Sequence, residues 1–388
     1  MVKIKMYPAK EGDAFLISFG NDNSTNIIID MGLEETYQSF IKPDLIELKE
    51  SGKKIDLLIV SHVDNDHICG AIEFIKENKD NNTVIQVGEV WHNSYRHLKF
   101  DKVDEVLERE EKLVLKQIRE QNTPPSSTDG LSEIKIDEGI TLAGLLYKYN
   151  YNWNVSLNEK AVLISEQELT ISTNVRVKVI SPSVNKLNSL AIKWKEKLES
   201  EKYGFILNND IIFDDAYEQY MKHSNHSSEV NEIAKNEDKL TFYELKNKKG
   251  KDRSVTNGSS IAVILESEDV KLLFLADAHE DLIYEELKKL NDSGYELNFD
   301  FVKLSHHGSN NNISNRILSL ISARKYMIST NGKYSHPDLA TIAKIVDNDR
   351  HAKIITNYNH DKVLEFNNKY FDGIGEFTVT VLNELVFE

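Results

Sequence analysis

Residues 62–67, His-Val-Asp-Asn-Asp-His, bring two imidazoles and two carboxylates into one short segment. The segment directly follows the apolar run 55–60, which predicts a buried β-strand. A strand that ends in this way presents its histidines and aspartates together at one edge of a sheet. Mixed nitrogen and oxygen ligands of this kind suit zinc, manganese or iron. We therefore interpret the segment as a metal-binding loop, against the alternative of an ordinary polar turn after a strand.

The spacing resembles the His-x-His-x-Asp-His signature of the metallo-β-lactamase superfamily, with Asp64 where the second histidine usually stands. That substitution is a feature of one branch, the catalytic domain of the ComEC-type DNA-uptake proteins and their free-standing relatives. Four further parts of the sequence resemble the family, in the right order. They are residues 12–17 with 27–32, 274–278 (Phe-Leu-Ala-Asp-Ala), 303–309 (Lys-Leu-Ser-His-His-Gly-Ser) and 331–337 (Asn-Gly-Lys-Tyr-Ser-His-Pro). Each motif alone is weak, but the ordered set is specific.

The resemblance implies an α+β architecture, a four-layer αββα sandwich with an inserted and mostly helical segment. Strand–helix alternation along the chain also favours sheets covered by helices. We expect residues 1–100 and 255–388 to form the catalytic domain and residues 101–254 to form the insertion. Within the insertion we predict a helix at 101–121, strands within 132–182 and helices within 184–250. The end of the second part, 175–182, resembles a family strand that precedes an inserted segment.

The resemblance further implies the ligands of two divalent cations, zinc or manganese. The predicted ligands are His62, Asp64, Asp66, His67, His92, Asp277 and His306. Asp277 corresponds to the acid that bridges both metals in the family, and either His306 or His307 completes the second site. The remaining ligand of the first metal should follow the strand 84–92; His92 is the natural candidate and His97 a weaker one. The alternative for His92 is an ordinary polar strand end. Asp30 is expected to orient a metal-binding histidine rather than to bind metal.

Two such cations lower the pKa of a bridging water, so that a hydroxide nucleophile is available at neutral pH. We predict Asp66, His307 and His336 as catalytic residues, because histidine is the usual proton donor to a leaving oxygen. Ser335 stands where the family has glycine, and His336 could instead simply begin a helix. Asp64 in place of a histidine favours manganese over zinc. The predicted substrate-binding residues are Asn257, Ser259, Ser309 and Tyr334.

The composition narrows the choice of partners. The chain has 388 residues with a net charge of −16, so its surface as a whole does not attract polyanions. This disfavours tight non-specific DNA binding and favours a small or single-stranded substrate or a protein partner. No apolar run approaches the ~18–20 residues that cross a bilayer, and residues 1–6 lack the apolar stretch of a signal peptide. The one cysteine, Cys69, fits a reducing compartment. We expect a cytoplasmic protein without a membrane partner.

The first functional hypothesis is a metal-dependent phosphodiesterase or nuclease that acts on nucleic acid or another phosphodiester. Free-standing relatives in the family occur beside bacterial defence modules, which suggests a role as a phage-defence effector. One alternative is a hydrolase of small esters or lactones. Another is an interaction protein in which the insertion docks a protein partner and the metal site is regulatory. The sequence predicts no particular oligomeric state.

Overall fold

The structure is a computed structural model, and it describes residues 1–22, 24–121, 141–201, 203–224, 237, 240–364, 366 and 377–388. The strands, in chain order, are β1 (Val2–Met6), β2 (Ala14–Phe19), β3 (Thr25–Met31), β4 (Ile55–Ile59), β5 (Val87–Trp91), β6 (Leu169–Ser172), β7 (Val175–Ser181), β8 (Ala262–Glu266), β9 (Lys271–Phe274), β10 (Asn298–Phe299), β11 (Phe301–Lys303), β12 (Ser322–Ala323), β13 (Tyr326–Ile328), β14 (Lys353–Thr356), β15 (Thr378–Val381) and β16 (Glu384–Phe387).

The helices, in the same order, are α1 (Glu34–Thr36), α2 (Lys42–Glu50), α3 (Asn65–Asn78), α4 (Arg109–Gln121), α5 (Leu142–Lys148), α6 (Val184–Ser200), α7 (Ile211–Ser224), α8 (Phe242–Lys246), α9 (Val255–Gly258), α10 (Glu280–Asp292), α11 (Asn315–Leu320) and α12 (Leu339–Asn348). A π-helical segment, Tyr37–Ile41, joins α1 to α2. Short 3₁₀ turns cover Tyr95–His97, Val155–Leu157 and Ser305–Gly308.

Two mixed sheets organise the molecule. The first has the strand order β16-β1-β2-β3-β4-β5, and the second has the order β15-β14-β13-β11-β9-β8-β7-β6. In each sheet one part is antiparallel and built from consecutive strands, such as β1–β3 and β7–β9. The other part is parallel, such as β3–β5 and β9–β11–β13–β14. The parallel parts need crossover connections, and these carry helices such as α3 and α12.

The sheets pack face to face, and helices cover their outer faces. Phe15 and Ile27 of the first sheet share one apolar cluster with Phe274 and Met327 of the second. A second cluster joins the outer face of the first sheet to α2 and α3, and a third joins the outer face of the second sheet to α10, α11 and α12. The layers therefore run helix, sheet, sheet, helix, which confirms the predicted αββα sandwich.

The predicted insertion, residues 101–254, differs from expectation in two places. The helix expected at 101–121 begins only at Arg109, because tertiary hydrogen bonds hold the backbone before it: Val103 N donates to Leu207 O and Asn208 Nδ2 donates to Glu105 O. Within 132–182, where strands were expected, residues 132–140 lie outside the described part of the chain. Residues 142–148 form the helix α5, which Thr141 caps by accepting from Gly144 N.

The strands β6 and β7 lie inside these predicted insertion bounds but belong to the second sheet. β7 pairs along its length with β8, and its outer neighbour is β6. Six of the seven residues of β7 are buried, which fits an internal strand of a sandwich. By contrast, α4, α6 and α7 have an apolar cluster of their own, built around Leu115, Trp194 and Tyr217. Among the described residues, no helix is long and apolar enough to cross a membrane.

The segment 378–387 connects the two sheets directly. β15 is an edge strand of the second sheet and β16 is an edge strand of the first. Only two residues separate them: Leu382 N donates to Thr356 O of β14, and Asn383 O accepts from Met6 N of β1. One short segment therefore spans both layers.

Candidate metal centre

The predicted metal loop lies between β4 and α3, and Asp30 at the end of β3 fixes its shape. Asp30 Oδ1 accepts from Ser61 N at 2.7 Å, and Oδ2 accepts from Ser61 Oγ at 2.7 Å. The same Oδ2 lies 2.8 Å from His67 Nδ1, so the carboxylate orients that ring from behind. Gly12 packs closely against the loop, and a Cβ atom at this position would lie 1.8 Å from Asp66 O. The structure thus gives Asp30 the orienting position that was predicted for it.

Four imidazoles surround one carboxylate oxygen at the centre of the site. Asp277 Oδ2, just after β9, lies 3.6–3.9 Å from the Nε2 atoms of His62, His67, His306 and His307. These separations are too long for hydrogen bonds. Ligands at about 2.0–2.2 Å from a tetrahedral metal lie roughly 3.3–3.6 Å apart, which is close to the observed spacing. The site geometry is therefore that of ligands around cations.

The two remaining predicted carboxylates approach different imidazoles of this centre. Asp66 Oδ2 lies 3.7 Å from His67 Nε2 and 3.4 Å from His307 Nε2. Asp64 Oδ2 lies 3.7 Å from His62 Nε2 and accepts from Thr256 Oγ1 at 3.3 Å. The site therefore has one half around Asp66 and another around Asp64, with Asp277 between them.

An unusual backbone brings the two consecutive histidines into the same site. His306 and His307 both have left-handed dihedrals, with φ of 46° and 54°. Such a conformation costs about 1–2 kcal/mol per residue for an L-amino acid. It turns both rings toward Asp277, whereas an extended strand would point them to opposite faces. Both alternatives left open by the sequence are thus placed at the centre.

Every one of the four rings is held through Nδ1, which leaves Nε2 facing the centre. His306 Nδ1 lies 3.0 Å from Asn312 Oδ1, and His307 Nδ1 lies 2.8 Å from Ser329 O. His62 Nδ1 lies 3.0 Å from Ser61 Oγ, and His67 Nδ1 faces Asp30. A hydrogen bond from Nδ1 fixes the tautomer in which Nε2 carries the free lone pair.

Buried polar atoms without partners test whether cations fit here. Among the described residues, Nε2 of His62, His67 and His307 and Oδ1 of Asp277 are buried and have no hydrogen-bond partner. Leaving such atoms unpaired costs about 1–3 kcal/mol each. Groups of three ligand atoms within 4.8 Å include His62-His67-Asp277 and Asp66-His67-His307. The donor set therefore fits divalent metal ions.

The rings and carboxylates also stabilise each other's charged forms. Burial acts to lower the pKa of His306, but the charges of Asp277 and Asp252 outweigh it and raise that pKa to about 10. Burial also acts to lower the pKa of His307, but the charges of Asp277 and Asp13 outweigh it and raise that pKa to about 9. Burial would raise the pKa of Asp277, but the surrounding imidazoles hold it well below its usual range. Protons and metal ions therefore compete for the same nitrogen atoms.

Two supporting groups were not predicted from the sequence. Asp252 Oδ2 lies 3.3 Å from His306 Nδ1 and accepts from Asn257 Nδ2 at 2.8 Å and Asn312 Nδ2 at 2.9 Å. Lys303, which is 1% exposed, forms a close ion pair with Asp13 and donates to Ala276 O at 3.1 Å. Asp13 and Lys303 lie inside segments that resemble the family, whereas no feature of the sequence around Asp252 indicates its role.

The structure does not bring His92 into the cluster. Its Nε2 lies 2.9 Å from Glu218 Oε1 of α7, and its Nδ1 lies 3.4 Å from Val60 O. Both ring nitrogens are thus engaged elsewhere, and the strand-end interpretation fits better than the predicted ligand role. The weaker candidate, His97, accepts from Ser94 N at 3.0 Å and lies 3.2 Å from Asn154 Nδ2, so it is not at the centre either.

Three of the four predicted substrate-binding residues have internal contacts instead. Asn257 is buried and bridges Asp252 and His306, with its Nδ2 3.4 Å from the ring. Ser259 Oγ donates to Thr256 O at 2.6 Å, and Ser309 Oγ accepts from Asn311 N at 3.3 Å. These contacts shape the loops that carry the centre. Only Tyr334, which is 38% exposed, has a side chain available to a ligand.

The predicted catalytic residue His336 lies beside the centre. Its ring centroid is 5.3 Å from that of His306, and its buried Nδ1 has no hydrogen-bond partner among the described residues. Burial, together with the charges of His306 and His307, lowers the pKa of His336 well below its usual value. The ring is therefore neutral near pH 7. It can donate a hydrogen bond from N–H, but it is a weaker acid catalyst than the sequence-based prediction assumed.

Part of the chain matches a known protein family. Residues 8–142 match the family model described as the metallo-beta-lactamase superfamily. The chain is similar to the metallo-beta-lactamase fold protein YhfI from Bacillus subtilis, at 10% identity over 98% of this chain and 96% of that chain, with a TM-score of 0.38. It is also similar to CmlA, a diiron beta-hydroxylase from Streptomyces venezuelae, at 11% identity over 99% of this chain and 53% of that chain, again with a TM-score of 0.38. A comparison with curated proteins gave no match.

The matched residues contain β2–β5 and the metal loop, which carries His62, Asp64, Asp66 and His67 from both halves of the site. The match covers about a third of the chain and, together with the αββα layers, agrees with a metallo-β-lactamase fold. The two structural likenesses are too weak for any statement about activity.

Proposed function

We propose that this protein is a phosphodiesterase or nuclease that uses two divalent metal ions. The single observation that carries the proposal is the position of Asp277 Oδ2 among four imidazole Nε2 atoms at 3.6–3.9 Å. One half, with Asp66, His67 and His307, would hold one metal. The other half, with His62 and Asp64, would hold the second, and His306 would supply the ligand that His92 does not.

The position of Thr256 supports this division. Its hydroxyl binds Asp64, while the next residue, Asn257, contacts His306. Asp64 and His306 therefore both contact α9. His307 Nε2, by contrast, lies 3.4 Å from Asp66 Oδ2. Each half then has histidine and aspartate ligands of its own, with Asp277 shared.

The residues favour an anionic phosphoryl group as substrate. Bound divalent cations would lower the pKa of a coordinated water and neutralise charge on the attacked group. Asp64 adds a third carboxylate to the four imidazoles, which makes the set harder than one with a fifth histidine and favours an ion such as manganese. His336, as a neutral ring, would donate its N–H to the departing oxygen.

The helix α7 adds a positive charge beside the metal loop. Lys222 is 9% exposed and has no carboxylate within ion-pair distance in the described ranges. Its ammonium group acts on the Cys69 thiol of α3, two residues beyond His67. A cation there would attract a polyanionic substrate locally even though the chain carries a net charge of −16. The resemblance of the motifs to the ComEC-type branch points the same way.

Hydrolysis assays test the proposal directly. Purified protein is incubated with manganese or zinc and with bis-p-nitrophenyl phosphate, single-stranded DNA or duplex DNA. We expect cleavage that Asp66→Ala abolishes and that the exposed control Asp269→Ala leaves unchanged. His336→Ala should lower kcat by about 10²–10⁴-fold if it acts on the leaving group, while the exposed control His351→Ala should not.

The opposite results are also informative. Cleavage of a carboxylic ester or lactone but of no phosphodiester would contradict the proposal and indicate a small-molecule hydrolase. An absence of any cleavage with two metals bound would indicate that a protein partner must act on the helices α4, α6 and α7 first. Cleavage by Asp66→Ala at the wild-type rate would exclude this site as the catalytic centre.

A further inference from the structure

A cavity of about 390 Å³, lined mostly by polar and charged residues, lies outside the metal centre. Its walls are residues 247–250, the loop 310–316 and Lys344 of α12. The lining contains four cationic side chains, Lys248, Lys249, Arg316 and Lys344, against one carboxylate, that of Glu280. The carboxylate is already neutralised, because Arg316 donates to both of its oxygens at 2.7 and 2.6 Å. Lys248 in turn is paired with Glu237 at 2.6 Å. Among the described residues, this leaves Lys249 and Lys344 as the lining cations without a carboxylate partner, so the cavity is locally positive in an acidic protein.

Lys344 is the most unusual member of this lining. It is 4% exposed, and its Nζ donates to Asn310 Oδ1 at 2.6 Å and Ile313 O at 2.8 Å. Both acceptors are neutral, and no carboxylate of the described ranges lies within 4.0 Å. An ammonium group has three N–H donors, so one is left over. Burial lowers the pKa of Lys344 to about 8 despite the more distant charges of Asp338, Glu280 and Glu237.

A second buried donor lies next to it. Asn310 is 3% exposed, and its Nδ2 has no acceptor among the described residues. The orientation of this amide is fixed, because the ammonium of Lys344 can only donate and must therefore face the oxygen. Burying a donor without an acceptor costs about 1–3 kcal/mol. Two adjacent buried side chains in the lining thus each have an N–H donor without an acceptor.

We propose that this cavity binds a small phosphate ester, with the phosphate group accepting from Lys344 Nζ and Asn310 Nδ2. A phosphate oxygen would supply both missing acceptors and the missing negative charge. Ligand pockets are typically ~300–1,000 Å³, so the volume accommodates an organic phosphate rather than the phosphate group alone. Lys249, which is exposed at the rim, would contact the outer part of the ligand.

The cavity shares a loop with the metal centre. Asn310 N donates to Asp338 Oδ2 at 2.7 Å, and Asn312, two residues on, lies 3.0 Å from His306 Nδ1. A ligand on Asn310 would hold the segment that orients a metal-binding ring. The proposal nevertheless concerns binding alone and is independent of the reaction at the centre.

Binding of glycerol 3-phosphate and of inorganic phosphate to chelator-treated protein tests the proposal, with glycerol as the uncharged probe. We expect saturable binding of glycerol 3-phosphate, weakened at least tenfold in Lys344→Gln, which keeps a hydrogen-bond donor but removes the charge. Lys249→Glu should weaken binding about three- to tenfold. The matched control Lys195→Glu, on the exposed face of α6, should bind as the wild type does.

Thermal unfolding shows whether Lys344→Gln is folded. If it is not, Lys249→Glu decides, because Lys249 is exposed. Wild-type affinity in both Lys249→Glu and a folded Lys344→Gln would overturn the proposal. An absence of saturable binding to the wild type would overturn it too. Loss of binding in His307→Ala but not in Lys344→Gln would place the phosphate at the metal centre and would overturn it as well.

Discussion

Replacing Lys303 by methionine tests the reasoning about the buried charges beneath the metal centre. The wild-type ammonium is 1% exposed, pairs with Asp13 and lies 3.9 Å from Asp277 Oδ1. Methionine is similar in length to lysine and resembles the aliphatic part of its side chain, but it carries no charge. Lys303→Met therefore leaves Asp13, also 1% exposed, without its cation.

We expect a loss of about 3–5 kcal/mol in the free energy of unfolding, as for other buried ion pairs that lose one partner. The loss should depend on pH. In the wild type, burial would raise the pKa of Asp13, but Lys303 lowers it below the usual value, so the pair stabilises the fold above the ordinary carboxyl pKa and ceases to do so as the pH falls. In the variant, burial raises the pKa of Asp13 and only the more weakly acting His307 and His67 still oppose it. Its penalty should then be largest at pH 7–8 and shrink on acidification.

Urea unfolding in the presence of chelator, at pH 8 and pH 5.5, measures both effects. The exposed control Lys195→Met should change the free energy of unfolding by less than about 0.5 kcal/mol. The double variant Lys303→Met/Asp13→Asn should recover most of the loss, because no unpaired charge remains. A loss below about 1 kcal/mol at pH 8, or one that grows on acidification, would refute this account of the pair.

Three further predictions concern the surroundings of the centre. Asp252→Asn should weaken the binding of one metal about 10–100-fold while the other remains, measured by titration against a chelator, because among the metal-binding rings of the described residues Asp252 lies beside His306 alone. Equal weakening of both metals would contradict this. Metal binding at pH 7 should release protons, and the affinity for metal should increase with pH up to about 9–10, because the pKa values of His307 and His306 are raised to about 9 and 10. Calorimetry in two buffers measures the protons released. The same two groups should stabilise the metal-free fold below pH 6.5 and progressively less up to pH 10. Glu218→Ala should lower the free energy of unfolding by about 1–3 kcal/mol, measured in urea, because it leaves His92 Nε2 buried without an acceptor; an unchanged value would show that water replaces the carboxylate.

The sequence was informative about the centre where its residues follow strands directly. The loop 62–67 could be predicted because local spacing places its side chains after β4, and Asp277 follows β9 in the same way. Strand–helix alternation predicted sheets covered by helices, whereas the four αββα layers were implied by the resemblance to the metallo-β-lactamase superfamily.

Contacts between distant segments could not be predicted. His92 looked like a ligand because it ends β5, but Glu218 of α7, 126 residues away, binds its Nε2. No local pattern encodes that contact. The same holds for Asp252, whose position behind His306 depends on how the chain returns to β8. The helix predicted from residue 101 was wrong over 101–108 because tertiary hydrogen bonds replaced helical ones there.

The segment 378–387 has a consequence for how the molecule opens. Since Leu382 and Asn383 are bonded to different sheets, separation of β15 from the second sheet pulls on β16 in the first. The two halves of the sandwich should therefore behave as one cooperative unit rather than as independent foldons. In native-state hydrogen exchange, the amides of Met6 and Leu382 should then be exposed in the same opening event, with the same free energy and the same dependence on denaturant.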